Sequence, residues 1–392
     1  MGMLTNLGNT AIGPVRSFNS VPYEQSWSFE LQRSLPWGLL TDASYVGKQG
    51  THLMFGVSGL YDYNHLSDSI IGSTADEVNA MTAQVPNPNG AALSAINPGC
   101  AICNTVPAYW SQLPYQQFQA VRVVAPPWAS ATYHALQLRA QKKMSDGLTF
   151  LATYVWSKSI DNASQGGNGG GFDTGFTSGL VNPNHLSWER SQSAFNVPQT
   201  LQFTYTYALP FGRGKRFAGT VNPVVDAIIG GWQTNGIWRF DNGQPLGLGL
   251  KGTTKTLPTF GHRAFETAAL KRASKSAWKP LNPGCPAASC GYFANPNDVR
   301  EPDDYTFGNT GRTIPLTAPG TANSSLSMFK SFALSALHEG SSLEFRLEAF
   351  NALNHTQFAA PNTTVGDASN FGKITSQAND PRVGQVALRF YY

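Results

Sequence analysis

Charge is scarce in this 392-residue chain: Asp, Glu, Lys and Arg make up 13% of it, and the formal net charge at pH 7 is +4. The cations are spread out, and no Lys/Arg run is available to follow a phosphate backbone, so nucleic acid is not an expected partner. Long apolar runs are missing as well. A membrane-spanning helix needs roughly 18 to 20 uninterrupted apolar residues, and the best candidate, near Val221 to Ile229, is too short. The amino terminus, Met1-Gly-Met-Leu-Thr-Asn-Leu-Gly-Asn-Thr10, carries neither a basic n-region nor an apolar h-region, so no signal peptide is visible. Cysteine is limited to four residues in two local pairs, Cys100/Cys103 and Cys285/Cys290, each inside a Pro/Gly/Asn-rich stretch. Loop disulfides in an oxidising compartment and a four-thiolate zinc site built from both pairs are the competing readings. Disulfides are favoured, because neither pair sits on the tight knuckle between ordered strands that structural zinc prefers.

Glycine (39), proline (25) and aromatic residues (12%) are plentiful, a mixture that suits many strands joined by irregular loops. The final stretch, Val383 to Tyr392, sets the pattern. Val386, Leu388, Phe390 and Tyr392 are apolar, while Gln385 and Arg389 stand between them, so one face can meet hydrocarbon and the other water. The clearest strand repeats this design, with Leu201, Phe203, Tyr205 and Tyr207 opposite Thr200, Gln202, Thr204 and Thr206. Similar alternation starts at Glu24 (Trp27, Phe29, Leu31), Leu39, Tyr133, Leu148, Trp232, Leu326 and Leu343, giving about nine strands. A mean hydropathy of −0.23 is compatible with a membrane wall of this kind, since only alternate residues would face lipid.

Short and long connections alternate along the chain. Leu35-Pro36-Trp37-Gly38 and Ser145-Asp146-Gly147 are tight turns, whereas residues 54–132, 159–198, 243–322 and 351–382 read as irregular. Transmembrane barrels keep short turns on the periplasmic side and long loops outside. With the last strand ending in the periplasm, every short turn falls on that side. The aromatics Trp27, Trp37, Tyr154, Trp156, Tyr207, Trp232, Trp238, Tyr391 and Tyr392 are expected near strand ends, as in an interfacial girdle. The fold class expected is therefore all-β, an antiparallel transmembrane β-barrel with long external loops in the outer membrane. Residues 1–22 are expected to be irregular and residues 23–392 to form the barrel portion. Single-chain bacterial barrels use an even number of strands, so a count of nine and the missing signal peptide lead us to expect a C-terminal fragment of a longer protein.

Several stretches carry a resemblance to a known family: Ala43–Leu53, Tyr133–Leu138, Leu148–Asp161, Leu209-Pro-Phe-Gly212, Gly231–Gly236, Phe307-Gly-Asn-Thr-Gly-Arg312 and Phe345–Phe358. In this order and spacing they resemble the C-terminal part of the TonB-dependent receptors. They resemble in particular the large Oar-like receptors with a carboxypeptidase-regulatory-like N-terminal domain. The resemblance implies a barrel of about twenty-two or more strands with a plugged lumen, importing a small ligand with energy delivered by TonB. The family's plug, energy-coupling box and early strands have no counterpart here, so the TonB complex would be engaged only through a plug domain outside this sequence. The aromatic terminus at Val386, Leu388, Phe390 and Tyr392 resembles the signal read by the barrel-assembly machinery. An adhesive or surface-organising barrel without TonB-driven transport is the alternative.

No enzymatic constellation is recognisable, and no cofactor is implied. Gly212-Arg-Gly-Lys215 lacks the correctly spaced first Gly of a phosphate loop, and Arg216 replaces its Ser/Thr, so a basic periplasmic turn is the better reading. Ser276-Ala-Trp-Lys279 has no partner motifs, and Gly166–Gly171 reads as loop. The seven histidines show no metal-ligand spacing, and loop solvation is expected for each. Glu301, Asp303 and Asp304 read as a solvated cluster in preference to a cation site. Glu344, Arg346 and Glu348 are expected to face the lumen and to form structural charge pairs.

Overall fold

The computed structural model describes residues 6–14, 20–55, 60–145, 147–164, 180–278, 291–334 and 338–392. Nine strands form one antiparallel sheet: β1 (Tyr23–Leu35), β2 (Leu39–Leu53), β3 (Ala129–Ser145), β4 (Leu148–Asp161), β5 (Gln199–Ala208), β6 (Gln233–Asp241), β7 (Thr321–Ala333), β8 (Ser342–Phe350) and β9 (Val383–Tyr391). Each pairs with its neighbour in the chain, from β1 at one edge to β9 at the other, and a two-residue strand at Ser191–Gln192 adds to β4. β1 and β9 are not paired with each other, so the sheet is open. No helix among the described residues is long and apolar enough to cross a membrane.

Pairing register explains why alternation along single strands becomes a two-faced wall. Leu201 stands opposite Tyr154 and Phe240, and Phe203 opposite Ala152 and Trp238. Leu343, Phe345 and Leu347 stand opposite Phe390, Leu388 and Val386. Period-two side chains on matched strands must share a face, so this face is predominantly apolar across the sheet, with Thr234, Ser324 and Lys330 interrupting it. The opposite face carries Thr153, Gln202 and Arg239 in one row and Ser327, Glu348 and Gln385 in another. Among the described residues, none of the buried apolar side chains apart from Ala129 and Ala135 lies in these nine strands, while Leu388 is 66% exposed.

The strands outrun the alternating segments. β2 continues to Leu53, β4 to Asp161, and β7 starts at Thr321. In these extensions the ladder is held by main-chain pairing, such as Thr132 with Gln49 and Ile160, and no lipid-facing alternation is required. Consequently Tyr154, expected at a strand end, lies inside β4; Trp238 lies three residues from the end of β6, which is not extended.

One rim of the sheet carries the short connections. Pro36–Gly38 turns β1 into β2 with Trp37 at φ 61° and Gly38 at φ 70°. Gly147, at φ 78°, precedes β4. The left-handed region suits glycine because it lacks Cβ, and Trp37 occupies it at the tip of a hairpin. The link from β5 to β6 is longer and includes helix α3 (Pro223–Ile229), named after α1 (Ala75–Thr82) and α2 (Gly90–Ile96) of the opposite rim.

That opposite rim corrects the expectation of irregular loops. Residues 54–128 contain α1 and α2, a hairpin of Gln84–Pro86 with Thr105–Pro107, and two strands, Leu60–Asp62 and Ala120–Val124, of a three-stranded sheet. The three-stranded sheet also corrects the expectation for residues 1–22, since Thr10–Pro14 pairs in parallel with Ala120–Val124. Partners so far apart in sequence leave no local pattern to read. Residues 242–320 and 351–382 likewise contribute small paired strands, Gly249–Leu250 with Thr364–Val365 and Phe265–Glu266 with Val299–Arg300. Three apolar clusters fill this rim, centred on Leu66, Val78 and Trp110, on Ala264, Tyr292 and Ile374, and on Phe55 and Tyr61. Helix α1 starts with a capping box, in which Glu77 accepts from the Thr74 N–H at 2.7 Å while Thr74 Oγ1 accepts from the Glu77 N–H.

Candidate functional site: the polar face and the folded rim

The sheet's polar face brings the three expected lumenal charges together. Arg346 donates through Nε to Glu344 at 3.0 Å and through Nη1 to Glu348 at 3.4 Å. Its guanidinium lies 4.9 Å from the centre of the Phe329 ring, and Gln385 of the neighbouring strand donates to Glu348. Residues two apart on a strand point the same way, which is why this triplet pairs within β8. Further along the same face, Arg139 meets Asp42 at 3.5 Å and Arg239 meets Asp241 at 2.7 Å. The arginine of each pair stays 20% to 61% exposed, and ion pairs in reach of solvent contribute on the order of 1 kcal/mol each. Their consequence is a wall whose charges are locally paired, three arginines facing four carboxylates. A concavity of about 450 Å³ opens on it, lined by Thr149, Thr204, Thr206, Asn235, Ser327 and Glu348 among others. Hydroxyl, amide and carboxylate groups facing a space of that size can hydrogen-bond a polar ligand or hydrated solute.

At the folded rim, sequence reasoning missed a buried charge network. Arg312 donates to Asp161 at 2.6 Å, to the Asp161 carbonyl at 2.9 Å, to Ser164 Oγ at 2.9 Å and to the Glu189 carbonyl at 3.2 Å. Arg263 donates to Glu189, and Glu189 also accepts from the Val181 N–H at 3.0 Å. The Asp161 and Arg312 side chains are 6% and 3% exposed, and those of Glu189 and Arg263 are 0% and 8%. Two cations and two anions therefore sit dry but matched, as buried charges must be. Burial pushes both guanidinium pKa values down, and the facing carboxylates oppose the shift. Asp161 and Arg312 terminate two of the motifs that carry the family resemblance. That was the available signal, but their contact across 151 positions of chain could not be read from either motif.

A second junction joins the same loops. Asp68 accepts from Asn182 at 3.0 Å, Asn184 at 3.0 Å and His185 at 2.6 Å. These hydrogen bonds, Asn182's first, hold its carboxyl below the usual range. The histidines do not all lie solvated in loops as expected. His52 and His134 are on strands, and His134 Nδ1 is 2.8 Å from the Tyr45 hydroxyl. Glu301, Asp303 and Asp304 turn to separate neighbours: Asp303 to Arg300, Asp304 to the Lys255 N–H and Glu301 to Gly252 and Thr253. Among the described residues no cluster of three or more potential metal ligands occurs.

Cys100 and Cys103 are joined by a disulfide beside α2, with Cα atoms 5.2 Å apart. Cys285 and Cys290, like the Gly166–Gly171 run, lie outside the described residues. Val386, Leu388 and Phe390 project from the apolar face of β9, and Tyr392 follows at 86% exposure.

A wall with one exposed apolar face and one polar face, and with its buried core displaced to one rim, is the design of a protein solvated by lipid on one side. Residues 3–385 match the family model described as outer membrane beta barrel domain, and the chain belongs to that family. It is an outer-membrane protein. No curated protein matches it. Among solved structures, it is similar to the outer membrane transporter YddB from Escherichia coli at 9% identity and a TM-score of 0.41, too distant a likeness to carry any argument. The match covers 97% of this chain and 35% of that one, so the chain spans about a third of the transporter's length.

Proposed function

We propose that this chain forms the C-terminal barrel portion of a TonB-dependent, Oar-like outer-membrane receptor that binds a small polar ligand at its folded rim and polar face and passes it inwards. The observation that carries the reading is the segregation of connections: large folded loops gather on one rim and turns on the other, around a wall that is polar inside. In a barrel the loop rim faces outwards and the turns face the periplasm. The open edges at β1 and β9 then pair with further strands of the same barrel, since unpaired backbone in hydrocarbon costs several kcal/mol per group. The role is binding and passage, with no catalysis. The barrel-assembly machinery recognises the Val386–Tyr392 terminus, and TonB acts through a plug domain. The test uses the complete gene product: retention on immobilised periplasmic TonB domain is expected, and a product that fails to bind TonB defeats the transport reading. An epitope inserted after the exposed Gly252 checks sidedness separately, and it is expected to be labelled on intact cells.

The adhesive alternative draws on one observation of its own. The folded rim has its own apolar clusters and buried ion pairs, the attributes of a stable recognition surface. Binding of intact cells to a surface or partner cell, unaltered when TonB is deleted, is the outcome that favours it.

A further inference from the structure

On the turn rim, Lys330 stands in the apolar face of β7, opposite Phe345 and between Met328 and Phe332. A lysine in that row would present its ammonium to lipid. Instead it is 5% exposed, and its Nζ donates to the carbonyls of Ala227 at 2.7 Å, Asp226 at 3.3 Å and Gly230. These carbonyls lie at the C-terminal end of α3 and carry the negative end of the helix dipole; that of Asp226 also accepts the last helical bond, from the Gly230 N–H at 2.8 Å. Trp232 reinforces the seat, because its Nε1 donates to the Ile228 carbonyl at 2.8 Å and its ring lies edge-on to Phe345 at 6.1 Å. Helix α3 therefore lies against the lipid side of the wall, fastened by a lysine that would otherwise be out of place there.

The surface α3 turns away from the wall is apolar, with Val224 72% exposed and Ile228 67% exposed. Arg213, Lys215 and Arg216 on the preceding turn are exposed, and Asp226 is the segment's single carboxylate. Asp226 is occupied in accepting from the Arg213 N–H at 2.7 Å. Exposed Phe211 and Phe217 pack together at 5.4 Å, and Arg216 lies over Phe217. Apolar side chains, aromatic rings and cations together are the composition of an element that lies in a bilayer interface.

We propose that residues 210–232 form an interfacial anchor, with the apolar side of α3 in the acyl boundary of the phospholipid leaflet at the turn rim. Arg213, Lys215 and Arg216 engage anionic phospholipid head groups there. Continuity with the lipid-facing side of β7 and β8 identifies the occupant, and the three cations select its charge. The proposal rests on the periplasmic placement of the turn rim given above, but not on transport.

Photo-crosslinking in the full chain, reconstituted in phosphatidylethanolamine vesicles with and without phosphatidylglycerol, tests it. Benzoylphenylalanine at Ile228 is expected to give a phospholipid adduct, as at Leu388 on the wall, while the same probe at Lys251 on the loop rim gives none. Each neutralised cation in Arg213→Gln, Lys215→Gln and Arg216→Gln is expected to lower phosphatidylglycerol co-purification about fivefold, the equivalent of about 1 kcal/mol per charge. A lipid adduct at Leu388 but not at Ile228 overturns the anchor while leaving the barrel standing. Absence at both positions overturns the membrane wall along with it. Equal phosphatidylglycerol retention by the triple variant removes the head-group assignment.

Discussion

Leu201 and Leu66 are the same residue in opposite solvents. Leu201, on the central strand β5, is 40% exposed, whereas Leu66, in the folded rim, is 1% exposed. Burying a leucine away from water is worth about 1.5 to 3 kcal/mol, and the rim gains it in the ordinary way, by packing loop against loop. The wall obtains the same gain by leaving its leucines outside, where the surrounding lipid replaces water. The polar residues invert with them. On the wall, charges line the polar face in partly exposed pairs, and in the rim they are at most 8% exposed and each is paired with an opposite charge. A single chain thus follows two packing rules, and the boundary falls where the nine strands pass into their loops.

The contrast is tested most severely at the rim. Arg312→Met leaves Asp161 buried beside no cation, and removing one partner of a buried pair costs about 3 to 5 kcal/mol. We expect limited proteolysis of the loops to accelerate by orders of magnitude while the strands stay protected. Loss of the whole barrel at once would show that the rim and the wall are not separate cooperative units. On the wall, Leu388→Arg and Gln385→Arg place the same charge three residues apart on opposite faces. The first should destabilise the refolded protein in lipid by about 2 to 4 kcal/mol. The second, next to Glu348, should leave urea unfolding in vesicles nearly unchanged; equal costs would mean that the faces are not differently solvated.

The smallest effect concerns acid. Asp68 has a folded pKa below its ordinary value, so its contribution is complete above the unfolded carboxylate range and is lost as pH falls through the lowered value. Loop proteolysis should therefore rise below about pH 4, and less so in Asp68→Asn, which has no charge left to lose. Because the site is solvent-accessible, the difference is expected to be well under that of Arg312→Met.

The two-faced strands and the alternation of turn and loop were legible residue by residue, because a strand's period of two writes its solvents directly into the sequence at Leu201–Tyr207 and Val386–Phe390. The charged triplet at Glu344, Arg346 and Glu348 was legible for the same reason. What the rim contains was not. Thr10–Pro14 finds its partner at Ala120–Val124, and Arg312 finds Asp161 151 positions away, through contacts that have no local period. Nor did the pattern disclose Lys330, which breaks the apolar face of β7 and makes sense only once α3 is seen against it. The sequence by itself determined which side of each strand meets lipid, since that depends on neighbours two residues apart. Only the tertiary structure decided how the loops fold and where the buried charges are paired, since those energies belong to groups that are distant along the chain and adjacent only in space.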